Sequence, residues 1–177
     1  YLPLAPLAAG ARTAVYRARR EADGLEVAIK LALPERPLGR ERIRFHHEFA
    51  ILSKARSTFL PSALAMLDAG GLPALVLDLI PAESLRQRLL ATGPLPVEEA
   101  VALAIRTTEA LIDLHGQGLL HRGLSAGNLL WAPATGLLKL VGLSTAGRFG
   151  MVDADYRNPS ELEGELAYLA PELSGRL

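Results

Sequence analysis

His121-Arg122-Gly123-Leu124-Ser125-Ala126-Gly127-Asn128 is the stretch from which the fold of this chain is read. Two short apolar runs follow it, Asn128 to Trp131 and Leu137 to Val141, separated by the turn residues Pro133-Ala134-Thr135-Gly136. The second run leads directly into Gly142-Leu143-Ser144, so the two segments Lys139 to Ser144 and His121 to Asn128 each carry a central glycine, Gly142 and Gly123. Upstream lies a long helical pattern. It begins near Pro96, with Glu98 and Glu99 in a first turn that favours acids, runs through Val101, Ile105, Leu111 and Ile112 to His115, and stops at Gly116 and Gly118.

Outward from this centre the first third of the chain reads as strands. Ala14 to Arg19 alternates small or apolar with polar residues, Asp23-Gly24 offers a tight turn, and Glu26-Val27-Ala28-Ile29-Lys30-Leu31 makes the second arm of a hairpin. Pro34 and Pro37 close that unit, and a helix is predicted from about Gly39 to Arg56, with Phe45, Phe49 and Leu52 at helical spacing. Glu48 lies on or beside that stripe, where a carboxylate is costly unless it meets a cation or donor. Leu64 to Leu67 and Leu75 to Leu79 are two further strands joined through Gly70-Gly71, and a short helix spans about Glu83 to Leu90. The rest is irregular until Leu166 to Leu177, with no internal repeat.

Composition bounds the function classes. The chain has 177 residues, half of them hydrophobic, which suits one globular domain with a real core. Nineteen basic and nineteen acidic residues balance, so no electrostatic argument favours nucleic acid or an anionic membrane surface. The absence of cysteine excludes disulfides and thiolate metal sites. Tyr1 to Ala9 is apolar but lacks the basic flank of a signal peptide, and the apolar stretch from Leu72 to Ala82 is too short to span a bilayer. The expectation is a cytoplasmic protein; a start at Tyr1 rather than Met fits a fragment.

Taken in order, these segments resemble a protein kinase domain of the Ser/Thr type. His121-Arg122-Gly123 and Gly142-Leu143-Ser144 are similar to its His-Arg-Asp and Asp-Phe-Gly elements, Val27-Ala28-Ile29-Lys30 to its phosphate-contacting strand, and Ala170-Pro171-Glu172 to the end of its activation segment. The resemblance extends most closely to kinase-like domains at the front of large bacterial multidomain ATPase and sensor histidine kinase proteins. It implies an α+β, bilobal fold, with a β-rich lobe over residues 1–81 and a truncated, mainly helical lobe over residues 82–177. It supplies Glu48 with a partner, Lys30. By the same alignment Leu77 is the gatekeeper, backbone groups of Asp78 and Ile80 bind a base, and Val15, Ala28 and Leu130 sandwich it. Leu52, His121 and Leu143 fall on an apolar column.

The departures from the kinase pattern are concentrated on phosphate and metal. Gly123 stands where a positioned base belongs, and a lost base typically costs about two to four orders of magnitude in rate. Gly142 offers magnesium no side-chain oxygen, which leaves Asn128 as one weak, neutral metal ligand, and Ser125 replaces the loop lysine. Gly10 alone remains of the phosphate-loop glycines, with Ala8 and Thr13 at the other two positions. The resemblance therefore implies a pseudokinase with no intact catalytic residue, a regulatory or interaction module. ATP or another nucleotide is its one candidate cofactor, magnesium is not expected, and its partners are other proteins or further domains of the same polypeptide. The alternative is a divergent Ser/Thr kinase with slow transfer. Arg122 could face a phosphorylated segment, and Asp153 or Asp155 could replace a lost metal ligand, but spacing favours neither. His46, His47 and His115 show no ligand spacing, and Trp131 reads as core or edge packing.

Overall fold

The computed structural model describes residues 1–35, 37–149 and 166–168. Within these the chain forms two compact units, one from Tyr1–Ala55 with Pro61–Pro81, the other from Arg56–Leu60 with Ala82–Leu177.

The first unit is a five-stranded antiparallel sheet with one helix packed on it. Its strands are β1 (Leu2–Ala9), β2 (Thr13–Arg19), β3 (Glu26–Ala32), β4 (Ala63–Ala69) and β5 (Leu72–Asp78), in the order β1-β2-β3-β5-β4. The central strands β3 and β5 supply the core: Val27, Ala74, Leu75 and Val76 are fully buried, with Ala18 from β2 beside them. The β4–β5 hairpin turns on Gly70 and Gly71, both at positive φ (65° and 90°), the geometry that only glycine adopts readily at two successive positions.

Two details of this sheet depart from the sequence reading. Residues 2–9 form a complete edge strand although Pro3 and Pro6 interrupt the pattern, because an edge strand can spare the N–H groups that proline lacks. The register shifts at Pro3/Ala5 and Pro6/Ala8, one irregularity for each proline. The β2–β3 connection is not the tight two-residue turn expected at Asp23-Gly24. It is a loop from Arg20 to Leu25 closed by Arg20 N–H to Leu25 O (2.7 Å), with Gly24 at φ 75°. The Asp23 carboxylate accepts the Leu25 N–H and both Arg20 guanidinium arms, which hold its pKa down at about 2.

Helix α1 (Leu38–Lys54) turns one face to β4 and β5. Three of its five buried residues are charged: Glu41, Arg44 and Glu48 share the face with Phe45 and Leu52.

The second unit contains α2 (Leu85–Thr92), α3 (Val97–Gly116) and short strands, among them β7 (Leu119–Leu120) just after α3. The expected helix start at Glu83 is corrected: Glu83–Ser84 is a two-residue strand, β6, paired with β8 (Leu129–Ala132), which pairs with β9 (Leu137–Leu140). Ser84 then caps α2 in a capping box, its hydroxyl taking the Gln87 N–H while the Gln87 side chain takes the Ser84 N–H. Arg88 grips Glu99 with both arms (2.8 and 2.6 Å), and the Trp131 indole N–H donates to the same carboxylate (3.1 Å), tying α2, α3 and β8 together. The segment Arg56–Leu60 belongs here through its backbone: Leu140 N–H and Lys139 Nζ donate to the Phe59 and Leu60 carbonyls, and the Gln117 amide makes two bonds to the Arg56 backbone.

Helix α3 buries Leu103, Ala110 and Leu114, whereas Val97, Val101, Ile105 and Ile112 form a stripe that is more than half exposed. No helix among the described residues is long and apolar enough to cross a membrane. Residues 169–177, and with them the Ala-Pro-Glu element, lie outside the described residues, as do Asp153 and Asp155.

Candidate functional site

Strand β3 and helix α1 bring Lys30 and Glu48 together, Nζ to Oε2 at 2.5 Å. The Lys30 side chain is 13 % exposed and that of Glu48 2 %, so the pair is largely withdrawn from solvent. The Lys30 ammonium also stands 5.6 Å from the Phe45 ring centroid, a favourable place for a cation. Glu48 thus sits in the apolar face of α1 for a reason, since a carboxylate there is tolerated when a cation satisfies it.

The other first-unit residues proposed for a ligand are placed on neighbouring strands. Val15 pairs with Lys30 across β2 and β3, and Ala28 pairs with Leu77 across β3 and β5. Asp78 ends β5 with its N–H bonded to the Ser62 carbonyl (3.1 Å) and its carboxylate accepting the Ser62 N–H (2.7 Å). Ile80 follows beyond the strand. Gly10 stands in the three-residue connection between β1 and β2, its N–H bonded to the Thr13 carbonyl (2.9 Å). It is not held there by a special conformation: its φ is ordinary, and an added Cβ would meet only the Thr13 carbonyl at 3.7 Å.

In the second unit the two glycine segments lock onto each other. His121 Nε2–H donates to the Val141 carbonyl (3.1 Å) and Nδ1 accepts the Gly123 N–H (3.3 Å), an arrangement that fixes one tautomer. The Asn128 amide donates to the Gly123 carbonyl (2.7 Å), and its backbone carbonyl accepts the Val141 N–H (3.0 Å). Gly142 is left-handed (φ 78°, ψ 47°), and a Cβ there would come within 2.6 Å of Asn128 Oδ1. A Cβ at Gly123 would come within 2.9 Å of Thr145 Oγ1. The space beside each glycine is therefore filled by a neutral side chain. Leu143, which follows Gly142, is fully buried, and Leu130 on β8 is half-buried.

Arg122 adopts a left-handed backbone (φ 56°), rare for a side-chain-bearing residue, and its guanidinium occupies the space a Cβ at Gly147 would need. Trp131 is buried with its N–H satisfied by Glu99, and His115 stacks edge-on against Phe149 at 5.5 Å.

The donor set does not fit magnesium. Gly123 and Gly142 have no side-chain oxygen, Asn128 offers a single neutral amide oxygen, and no group of three or more metal-binding side chains occurs among the described residues. A sequence signal for this was present but unread: from Leu114 to Val152 there is no aspartate or glutamate, while Arg122, Lys139 and Arg148 lie within the same span. Reading motif positions one at a time concealed that the whole span lacks carboxylates. Also unread was a buried carboxylate at Glu41, which meets Arg12 and Arg44.

Fold and site together define a kinase-like α+β chain. Residues 1–176 match the protein kinase domain family, and the chain belongs to it. It is 31% identical over 185 residues to the serine/threonine-protein kinase PkaA of Streptomyces coelicolor, covering 97% of this chain and 34% of that protein. It is 30% identical over 178 residues to the serine/threonine-protein kinase PknL of Mycobacterium tuberculosis, covering 97% of this chain and 43% of that one. With the serine/threonine-protein kinase AfsK of S. coelicolor it shares 37% identity over 131 residues, 72% of this chain and 16% of the relative. The chain thus spans less than half the length of these relatives.

Proposed function

We propose that this chain is a catalytically silent kinase domain, a pseudokinase acting as a regulatory or interaction module. In this reading it holds ATP or ADP without magnesium. The observation that carries the reading is the state of Gly123 and Gly142: neither has a carboxylate, and Asn128 and Thr145 fill the space beside them. A base that takes the proton of an attacking hydroxyl has no group at 123 to do so.

Electrostatics supports the metal-free version. With both acidic positions neutral, a phosphate near them meets no carboxylate that a cation would have to screen. Had both aspartates been kept, losing the cation alone would set two carboxylates against the phosphate. The ligand groups of the first unit are then Lys30, steered by Glu48, for phosphate, the backbone of Asp78 and Ile80 for the base, and Val15 and Ala28 for its face. The module's partners are other proteins or further domains of its own polypeptide.

Isothermal calorimetry with ATP and ADP, with magnesium and with EDTA, tests the proposal. The expected result is binding of similar affinity in both buffers, lost in Lys30→Ala. Binding that requires magnesium would sink the metal-free reading, and silence in both buffers would leave only a scaffold.

A second reading, a slow Ser/Thr kinase, draws on the intact Lys30–Glu48 pair and on relatives named as serine/threonine-protein kinases. Transfer of radiolabelled phosphate that disappears in Lys30→Ala would establish it and overturn the silent one.

A further inference from the structure

Helix α1 carries a second buried carboxylate, and it does not serve the Lys30 pair. Glu41 lies seven residues before Glu48, two turns or about 10 Å along the same face. Glu41 is as deeply buried as Glu48, at 2 % exposure. Its Oε1 receives the Arg12 Nε–H at 3.3 Å and stands 3.9 Å from an Arg44 guanidinium nitrogen.

Arg12 is the last residue of the β1–β2 connection, the loop that also contains Gly10. Its backbone is committed too, because its carbonyl accepts the Leu33 N–H (3.0 Å) just beyond β3. The loop is therefore held from two sides, by main chain to the β3 end and by side chain to α1. Such a loop has little need of glycines, in agreement with the ordinary conformation and open space at Gly10.

We propose that Arg12 and Glu41 form a latch that ties the β1–β2 loop to α1, so that the loop and the helix bearing Glu48 move as one body. The physical reason is that releasing the loop strips a buried carboxylate of one of its two cations, while swinging α1 away breaks Arg12–Glu41 and Lys30–Glu48 together. The helix is pinned at Glu41 to the loop and at Glu48 to β3. A ligand that lifts or settles the loop is then felt at α1 with no hinge between them; this last consequence rests on the nucleotide reading above.

Hydrogen exchange with mass spectrometry on the 177-residue chain tests the latch without any ligand. Arg12→Ala and Glu41→Gln should each raise exchange about three- to tenfold at Gly10–Thr13 and in the first two turns of α1, and the double variant no further. Leu75 and Val76 in β5 should be unchanged, and Arg12→Lys should restore part of the protection. Exchange that rises in the loop alone, in neither place, or additively in the double variant overturns the latch, whereas a rise in β5 marks general destabilisation and also counts against it. A second arm adds ADP in EDTA: exchange in α1 should fall in the wild type and not in Arg12→Ala. ADP that binds by calorimetry yet leaves α1 unchanged overturns the transmission, whereas ADP that does not bind overturns the nucleotide reading and leaves the latch to the ligand-free arm.

Discussion

Replacing Lys30 by methionine should cost far more than removing the whole Lys30–Glu48 pair. Glu48 is 2 % exposed, so without Lys30 its carboxylate remains inside the unit with its strongest partner gone. Breaking a buried pair from one side costs about 3–5 kcal/mol, and because Lys30 retains 13 % exposure we take the lower end, about 3 kcal/mol. The lost ammonium–Phe45 contact is counted within that figure. For a chain of this size each kcal/mol moves Tm by about 2–4 °C, so Lys30→Met should melt about 6–12 °C early. Lys30→Met/Glu48→Met removes the stranded charge and fills the same volume, and it should recover most of that loss. Urea titrations of wild type, both single variants and the double variant close the cycle. A single-variant shift below about 2 °C would show the pair to be solvated. A double variant as unstable as the single would show that packing, not charge, sets the cost. Recovery of stability without recovery of nucleotide binding would mean that the pair is retained for ligand rather than for fold.

Two further outcomes follow from the second unit. Glu99 has its pKa lowered from 4.5, first by the hydrogen-bonded Arg88 guanidinium, so its contribution to stability is present above pH 4.5 and is lost as pH falls through the lowered value. Trp131 is the sole tryptophan and donates to Glu99, so its fluorescence during acid titration should change over that window, and Glu99→Gln should abolish the pH dependence while leaving unfolding at neutral pH measurable. Gly142→Ala should destabilise by about 1–3 kcal/mol, because alanine is strained at φ 78° and its Cβ meets Asn128. In an Asn128→Ala background the steric part disappears, so thermal melts should show a smaller penalty there, and an equal penalty would trace the whole cost to backbone strain.

The strands of the first unit were legible because their alternation and their glycine turn are local signals: β2, β3 and the β4–β5 hairpin follow from residues 13–32 and 63–78 alone. Strand β1 was not, since Pro3 and Pro6 disqualify a central strand and nothing local says that a strand will lie at an edge. The buried face of α1 was legible from Phe45 and Leu52, and Glu48 stood out on that stripe as a carboxylate in need of a cation; only the identity of its partner, Lys30, came from the motif. Glu41 and Arg44 look like an ordinary solvated charge pair in sequence, and their burial depends on Arg12, 29 residues before Glu41, coming to meet them. The Ser84–Gln87 capping box was readable and went unread, which placed the start of α2 two residues early. At the glycine segments the missing acids were evident from sequence, but not that Asn128 and Thr145 close over the space beside them, because that depends on rotamers.

The apolar stripe of α3 has a consequence for how the chain behaves in bulk. Val97, Val101, Ile105 and Ile112 face outward on a chain whose charges sum to zero, with a pI near 7.1. At neutral pH no long-range repulsion keeps copies apart, so a sticky ridge on each copy meets another at the diffusion-limited frequency. The chain should be least soluble near pH 7 and should disperse as pH falls a unit or two, where net positive charge restores the repulsion that its surface lacks.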